Sequence, residues 1–129
     1  MKVENIKFKA KRLDGKGWVE GSLIRSNAGI KERAYIVDSF SSMSDYSVIG
    51  VDPSTVCQFT GLKDRNGVEV YENDIVKTVD FEEKICNVEY KDYGFCLCGK
   101  CFRDDTMPLF VAIDNCDIYV VGNKFDKEK

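Results

Sequence analysis

At 129 residues the chain has the length of an ordinary domain and can bury enough apolar surface to fold without disulfides or a structural metal. Its composition, 43% hydrophobic and 32% charged, excludes a disordered chain and a membrane-embedded one. The net charge of −3 argues against a dedicated nucleic-acid binder, because clustered Lys and Arg side chains make the phosphate contacts that supply most of the affinity. The chain has no apolar run long enough to span a bilayer and no secretion signal, so we expect a cytoplasmic protein without a membrane partner.

The N-terminal segment alternates apolar and basic side chains over residues 5–12, which predicts a half-buried strand. One face of this strand carries three lysines, Lys7, Lys9 and Lys11. A solvated edge strand that lysine protects from aggregation and a strip that follows a phosphate backbone both fit this face. A turn at residues 14–17 leads into a second strand at 18–24, where Gly21 indicates a bulge or a close backbone approach.

Aromatic and β-branched residues predict two further strands, at residues 34–38 and 48–51. Between them, the Ser-rich residues 39–47 predict a surface loop, which either connects the strands or takes part in binding. A single helical turn is expected over residues 53–56, because Asp52 can cap its N-terminus and proline fits its first position.

The densest turn signal is the pair Asn66-Gly67. This pair predicts a type I′ hairpin, because both central residues of that turn need a positive φ. Residues 59–62 and 68–71 supply the two arms. A second turn is expected at residues 72–74, where Asp and Asn favour turn conformations.

The C-terminal half contains short strand-like stretches separated by turn residues. These stretches are residues 75–79, 85–90, 95–98, 109–113 and 117–122. They predict a mainly β fold, in which an N-terminal β-hairpin region precedes a C-terminal SH3-like small antiparallel barrel, with few short helical turns. We expect the barrel over residues 60–123, followed by a frayed tail. The expected organisation is a β-rich subdomain at 1–59 and the barrel subdomain at 60–129, in one compact unit.

The stretch Gln58-Phe-Thr-Gly-Leu-Lys-Asp-Arg-Asn-Gly-Val-Glu-Val-Tyr-Glu-Asn-Asp-Ile-Val76 resembles the signature of the YopX family, small proteins of phages and prophages. The residues that carry the resemblance are Gln58, Thr60, Gly61, Leu62, Asp64, Asn66, Gly67, Tyr71, Glu72, Asp74, Ile75 and Val76. The family commonly has Gly where this chain has Asn73, and Asn tolerates the left-handed backbone nearly as well. The resemblance implies a β-rich fold and self-association, while the family has no settled biochemical activity.

The six cysteines are expected to be reduced thiols, because cytosolic redox buffers keep them so. Cys98 and Cys101 have the spacing of a zinc knuckle, and Cys96 shares a strand face with Cys98. The chain contains no His, so a fourth ligand would have to be a further cysteine, from Cys57, Cys86 or Cys116. The alternatives are a redox pair and packed thiols without metal, and the strand alternation fits packed thiols best.

Catalytic chemistry has few candidates in this chain. The absence of His removes the usual general base at neutral pH and the Ser-His and Cys-His nucleophile pairs. The carboxylates near predicted turns and loops are Asp64, Glu69, Glu72, Asp74, Asp104 and Asp105. Turns attract Asp for backbone hydrogen bonding, so we expect structural roles, no cofactor and no enzyme activity. A small carboxylate- or metal-dependent enzyme is the second alternative.

The family resemblance implies a phage or prophage accessory protein. With the lack of catalytic groups and the strand-rich ends that could pair between chains, we expect it to act by binding, as a homo-oligomer with a protein partner that the sequence does not identify. The first alternative is a nucleic-acid-binding module that uses Lys7, Lys9 and Lys11 beside aromatic side chains. Several aromatics exposed on one surface would mark a protein interface or a platform for stacking bases.

Overall fold

A computed structural model describes residues 2–26, 31–39, 46–78, 84–91, 94–99, 106–115 and 117–126. These residues form two antiparallel sheets and a single short α-helix, which confirms the predicted mainly β class. The chain divides into two compact units, Met1–Phe59 and Thr60–Lys129.

The first unit is an antiparallel meander. Its strands are β1 (Phe8–Lys11), β2 (Trp18–Ser26), β3 (Arg33–Ser39), β4 (Tyr46–Val51) and the first residues of β5 (Cys57–Lys63). The order across the sheet is β4-β3-β2-β1-β5, and a 3-10 turn at Val3–Asn5 precedes β1. The predicted N-terminal strands are therefore confirmed. Of the predicted loop at 39–47, residue 39 belongs to β3 and residues 46 and 47 belong to β4, while residues 40–45 lie outside the described part of the chain.

The core of the first unit lies on one face of this meander. Its buried side chains are Ala10, Val19, Ala34, Ile36 and Val51. Gly21 lies opposite β3 at a point where a Cβ atom would be 2.2 Å from the carbonyl oxygen of Val37. This distance leaves no room for a side chain, which confirms the close backbone approach predicted for this glycine.

The end of β4 returns to the end of β1. The amide of Leu13 donates to the carbonyl of Gly50 at 3.1 Å, and the amide of Asp52 donates to the carbonyl of Lys11 at 2.9 Å. A 3-10 turn follows at Pro53–Thr55, with the Asp52 Oδ1 accepting from the Ser54 amide at 3.0 Å. The helical turn predicted here is confirmed, with the cap and the N-terminal proline in their expected positions.

The second unit contains the remaining elements. They are the rest of β5, then β6 (Glu69–Tyr71), β7 (Asp74–Thr78), β8 (Lys84–Lys91), β9 (Gly94–Cys98), β10 (Thr106–Pro108), α1 (Leu109–Asn115) and β11 (Ile118–Asn123). Five of these strands form a sheet in the order β10-β9-β8-β7-β11. Its core consists of Val70, Val76, Cys86, Val88, Leu97, Leu109, Ala112 and Ile118.

Three features of the second unit differ from the prediction. The strand predicted at 109–113 is wrong, because these residues form α1, with Leu109 and Ala112 buried three residues apart on one helix face. Residues 106–108, predicted to be loop, form the edge strand β10. Among the described strands, β10 and β11 lie at opposite edges of the sheet, so the closure of the predicted SH3-like barrel is not seen there.

Candidate functional site

The turn at the centre of the signature stretch is built around Asp64. The Gly67 amide donates to the Asp64 carbonyl at 3.0 Å, and the Asp64 amide donates to the Val68 carbonyl at 2.8 Å. Gly67 has a φ of 81°, whereas Asn66 is not among the described residues with positive φ. The predicted type I′ turn is therefore wrong, since the hairpin has the wider form that ends in a left-handed glycine.

The carboxylate of Asp64 explains this wider turn. Its Oδ1 accepts from the amides of Asn66 at 2.8 Å and Val68 at 2.9 Å. Its Oδ2 accepts from the Val120 amide at 2.9 Å, across 56 residues of sequence. The next amide, of Arg65, donates to the Ile118 carbonyl at 3.0 Å. The turn thus covers the outer edge of β11, where unpaired strand groups would otherwise be open to another chain.

Asp74 makes a second connection to the same strand. It is fully buried, with its Oδ2 accepting from the Tyr71 amide at 2.7 Å and its Oδ1 accepting from the Asn123 Nδ2 at 2.8 Å. Asn73 has a φ of 69°, so the left-handed turn that the sequence predicts is confirmed. The carbonyl of Asn73 accepts from the Lys124 amide at 2.9 Å. The two buried acids therefore hold β11 at its middle and at its C-terminal end.

The other signature residues support this arrangement. Thr60 Oγ1 donates to the Val70 carbonyl at 2.7 Å and accepts from the Leu62 amide at 3.2 Å, which joins β5 to β6. Gly61 has a φ of 84° within β5. Tyr71 and Val76 are buried, and Glu72 is half-buried in the turn before β7. Two others take part in strand pairing: Gln58 pairs with Phe8, and Ile75 pairs with Asn87 and Gly122. In the signature stretch, the side chains of Thr60, Asp64 and Asp74 link neighbouring strands by hydrogen bonds. Asp104 and Asp105 lie outside the described residues.

The predicted zinc knuckle is only partly described. Cys96 and Cys98 lie on β9 opposite Glu89 and Asn87, while Cys101 and Cys116 lie outside the described residues. Burial raises the pKa of the Cys98 thiol to about 11, and a hydrogen bond with Glu89 adds to this rise. Cys57 and Cys86 are buried in different units. Within the described part of the chain, no three His, Cys, Asp or Glu side chains are grouped closely enough to hold a metal ion.

The three lysines predicted to share a face, Lys7 just before β1 and Lys9 and Lys11 within it, lie over aromatic rings. The Lys7 Nζ is 4.8 Å from the ring centroid of Phe59. The Nζ atoms of Lys9 and Lys11 are 4.9 and 5.1 Å from the ring centroid of Trp18. These distances are those of cation–π contacts. We call this group the lysine–aromatic strip.

A second surface, which sequence reasoning missed, lies on the outer face of β2, β3 and β4. Ile24 pairs with Tyr35, and Val37 pairs with Val48, so the four side chains are adjacent across the sheet. Ile24 is 46% exposed and Val48 is 54% exposed. We call these four residues the apolar patch. Alternation within each strand indicates which of its side chains share a face. That these four side chains are adjacent follows only from the register between the strands.

Two cavities, also missed, lie within separate units. One of about 420 Å³ is in the first unit and is lined by Leu13, Lys31, Glu32, Arg33, Ala34, Tyr35, Val51 and Pro53. The other, of about 280 Å³, is in the second unit and is lined by Lys63, Asp64, Arg65, Ile113 and Ile118. The residues of each cavity come from distant segments, which a scan for local motifs does not connect.

The fold and the signature stretch define a class of small β-proteins in which two buried acids, one in a hairpin turn and one at the start of the next strand, fix the last strand. The sequence profile described as YopX protein matches residues 7–128, so the chain belongs to the YopX family. The predicted family membership is thereby confirmed. No curated protein matches the chain. None of the helices among the described residues has the length and apolar character needed to cross a membrane.

Proposed function

We propose that this YopX-family protein is a phage-associated accessory protein that acts by binding rather than by catalysis and assembles with copies of itself. The family suggests a phage-associated protein. Non-catalytic action is supported by Asp64 and Asp74, the buried acids of the signature stretch, whose oxygens accept hydrogen bonds that hold β11.

The observation that carries self-assembly is the apolar patch. Two aliphatic side chains, Ile24 and Val48, are about half exposed on one sheet face, with half-buried Tyr35 and Val37 between them. Contiguous apolar surface of this kind marks interaction sites more often than isolated exposed residues do. Two copies of the same patch can meet around a two-fold axis, because such an interface is self-complementary. The apolar patch therefore supports a homo-oligomer.

Light scattering coupled to size exclusion, over a concentration series, tests the assembly. We expect the wild-type chain to have a mass above that of the monomer, and Ile24→Asp and Val48→Asp to lower it, since a buried unpaired carboxylate opposes association. Val121→Asp is the matched control, because Val121 is an equally exposed valine, at 55%, in the second unit. A wild-type chain that stays monomeric throughout, or patch variants with the wild-type mass, would contradict self-assembly through this patch.

A second candidate function, binding of single-stranded nucleic acid, is favoured by the lysine–aromatic strip. Strands that bind single-stranded nucleic acid combine cations that follow the phosphates with aromatic rings that stack on the bases. Lys7, Lys9 and Lys11 with Trp18 provide both groups on one face. The net charge of −3 weighs against this candidate, so we place it second.

Trp18 gives a direct probe, because it is the single tryptophan of the chain. Titration with a single-stranded oligonucleotide should quench its fluorescence, and the affinity should fall steeply with added salt. Lys9→Ala with Lys11→Ala should weaken binding, whereas Lys16→Ala, at an exposed turn lysine of the same unit, should not. Binding that is insensitive to salt, or equally weakened by Lys16→Ala, would exclude this use of the strip.

A further inference from the structure

We infer that the cavity of about 420 Å³ in the first unit is a binding site for a small organic anion that joins a flat ring to a phosphate, the chemistry of a nucleoside monophosphate. The cavity lies at one end of the sheet, where β3 and β4 meet the turn after β1. It is separate from the lysine–aromatic strip and from the apolar patch, apart from Tyr35, which lines both the cavity and the patch.

The size and lining of this cavity match those of a ligand site. Pockets for small ligands range from roughly 300 to 1,000 Å³ and have mostly apolar walls with a few polar groups. Here Leu13, Pro53 and Tyr35 form the apolar side-chain lining, whereas the core side chains of Ala34 and Val51, at 5% and 1% exposure, present almost no surface to a ligand. Leu13, at this cavity, is 70% exposed. A flat ring inserted between these side chains would cover it.

The lining carries a net positive charge, because it contains Lys31 and Arg33 against the single acid Glu32. Glu32 pairs with Arg25 at 3.0 Å. Beside the cavity, Asp14 pairs with Arg12 at 2.7 Å, and Asp52 accepts from the Ser54 amide and hydroxyl. This leaves Lys31 and Arg33, for which no ion pair is found among the described residues.

Lys31 and Arg33 suit a phosphate in different ways. An arginine guanidinium presents a planar fork of donors that matches two phosphate oxygens, and a lysine ammonium adds a point charge. Both side chains are exposed, so they can turn towards a bound anion. The apolar lining contributes only to a ligand that also has an apolar ring, which is why inorganic phosphate alone should bind more weakly.

Isothermal titration and ¹H–¹⁵N NMR on the full chain test this inference, with AMP, GMP, CMP and UMP as probes. We expect at least one mononucleotide to bind at least about tenfold more tightly than inorganic phosphate and than its own nucleoside. The amide shifts should centre on Ala34, Tyr35 and Val51. Arg33→Gln should weaken binding by about tenfold or more, because a charge-assisted hydrogen bond is lost.

Two further variants test the charge argument. Glu32→Gln should tighten binding by removing the acid from the cavity, whereas Arg25→Gln should weaken it by leaving that acid without its partner. Arg65→Gln, at an exposed arginine of the second unit, is the control and should leave the affinity unchanged. The inference fails if no mononucleotide shifts these amides, if phosphate alone binds as tightly, or if Arg33→Gln keeps the wild-type affinity.

Discussion

Asn73 occupies the tight turn between β6 and β7 with a φ of 69°, in the left-handed region that side chains with a Cβ atom adopt only with strain. Asn is among the few residues that enter this region readily, since its short polar side chain can hydrogen-bond locally. Its backbone is also engaged, because its amide donates to the Val88 carbonyl at 2.7 Å. The angle is therefore fixed by the surrounding strands, and a residue at this position must accept it.

Replacement of Asn73 tests this constraint. We expect Asn73→Ala to be less stable than Asn73→Gly by about 1 kcal/mol, because Gly enters the left-handed region without steric strain. Urea unfolding of the two variants measures the difference, and the pair serves as its own control for the loss of the amide group. If the alanine variant is as stable as the glycine variant, the backbone at this turn is not held left-handed.

Cys98 gives a pH dependence of stability with a defined sign. The folded chain raises the pKa of its thiol from 9.0 to about 11, so the folded state holds this proton more tightly than the unfolded state. Its contribution to stability is complete below pH 9 and is lost as the pH rises through about 11. Cys98→Ala removes the group, so it should lose less stability than the wild type over this alkaline range.

Urea unfolding of both proteins at a series of alkaline pH values measures this difference. Lysines and tyrosines titrate in the same range, but they are common to both proteins and cancel in the comparison. Identical alkaline slopes for the wild type and Cys98→Ala would show that the thiol is not protected in the folded chain.

At the scale of elements, the helix α1 shows where local pattern is insufficient. Its first residues, 109–113, are five consecutive apolar side chains, which fit a buried strand and a short helix equally well. In the structure these residues are helical, with Leu109 and Ala112 buried at 1% and 0% exposure and Phe110 exposed at 61%. A strand would have placed Phe110 and Ala112 on one face, whereas the helix separates them.

Truncation on the two sides of α1 tests this burial pattern. Leu109→Ala should lower the free energy of unfolding by about 2–5 kcal/mol, because it opens a cavity in the core of the second unit. Phe110→Ala removes a larger side chain but should change stability by less than about 1 kcal/mol, because that ring is mostly exposed. Denaturant unfolding would contradict this burial pattern if Phe110→Ala were as damaging as Leu109→Ala.

The hairpin of β5 and β6 shows a second reason why the sequence alone did not predict the local structure. The pair Asn66-Gly67 correctly located the turn, and the arms were predicted from alternation. The turn type was wrong because the preceding Asp64 supplies side-chain acceptors to two amides of the loop. Such an acceptor favours a turn with one left-handed residue over a turn with two left-handed residues. Turn preferences of the dipeptide Asn-Gly alone do not include the effect of this acceptor.

At the scale of the whole molecule, the strands were predictable wherever alternation or turn residues were strong, as in β2, β3, β7 and β8. Contacts between distant segments were not predictable, because they depend on strand order and register. The bond from the Val120 amide to Asp64, the apolar patch and the cavity that contains Arg33 are all of this kind. Sequence reasoning therefore identified the signature stretch and the three lysines of the N-terminal strand, but it did not identify the apolar patch or the cavity.

The buried acids of the signature stretch differ in role from the exposed surfaces that we propose for binding. The signature stretch directs its two buried acids at β11, and the exposed features that suit binding lie in the first unit. The central claim is that Asp64 acts as a structural acceptor for the last strand.

The most direct test of this claim is native-state hydrogen exchange of the Val120 amide in Asp64→Asn. Asn can keep the turn bonds through its remaining oxygen, but it replaces the acceptor that faces Val120 with an amide group. We predict that Val120 loses at least about tenfold of its protection relative to Val88 in the core, with no such loss in Asp117→Asn. Unchanged protection of Val120, or an equal loss at Val88, would contradict the claim.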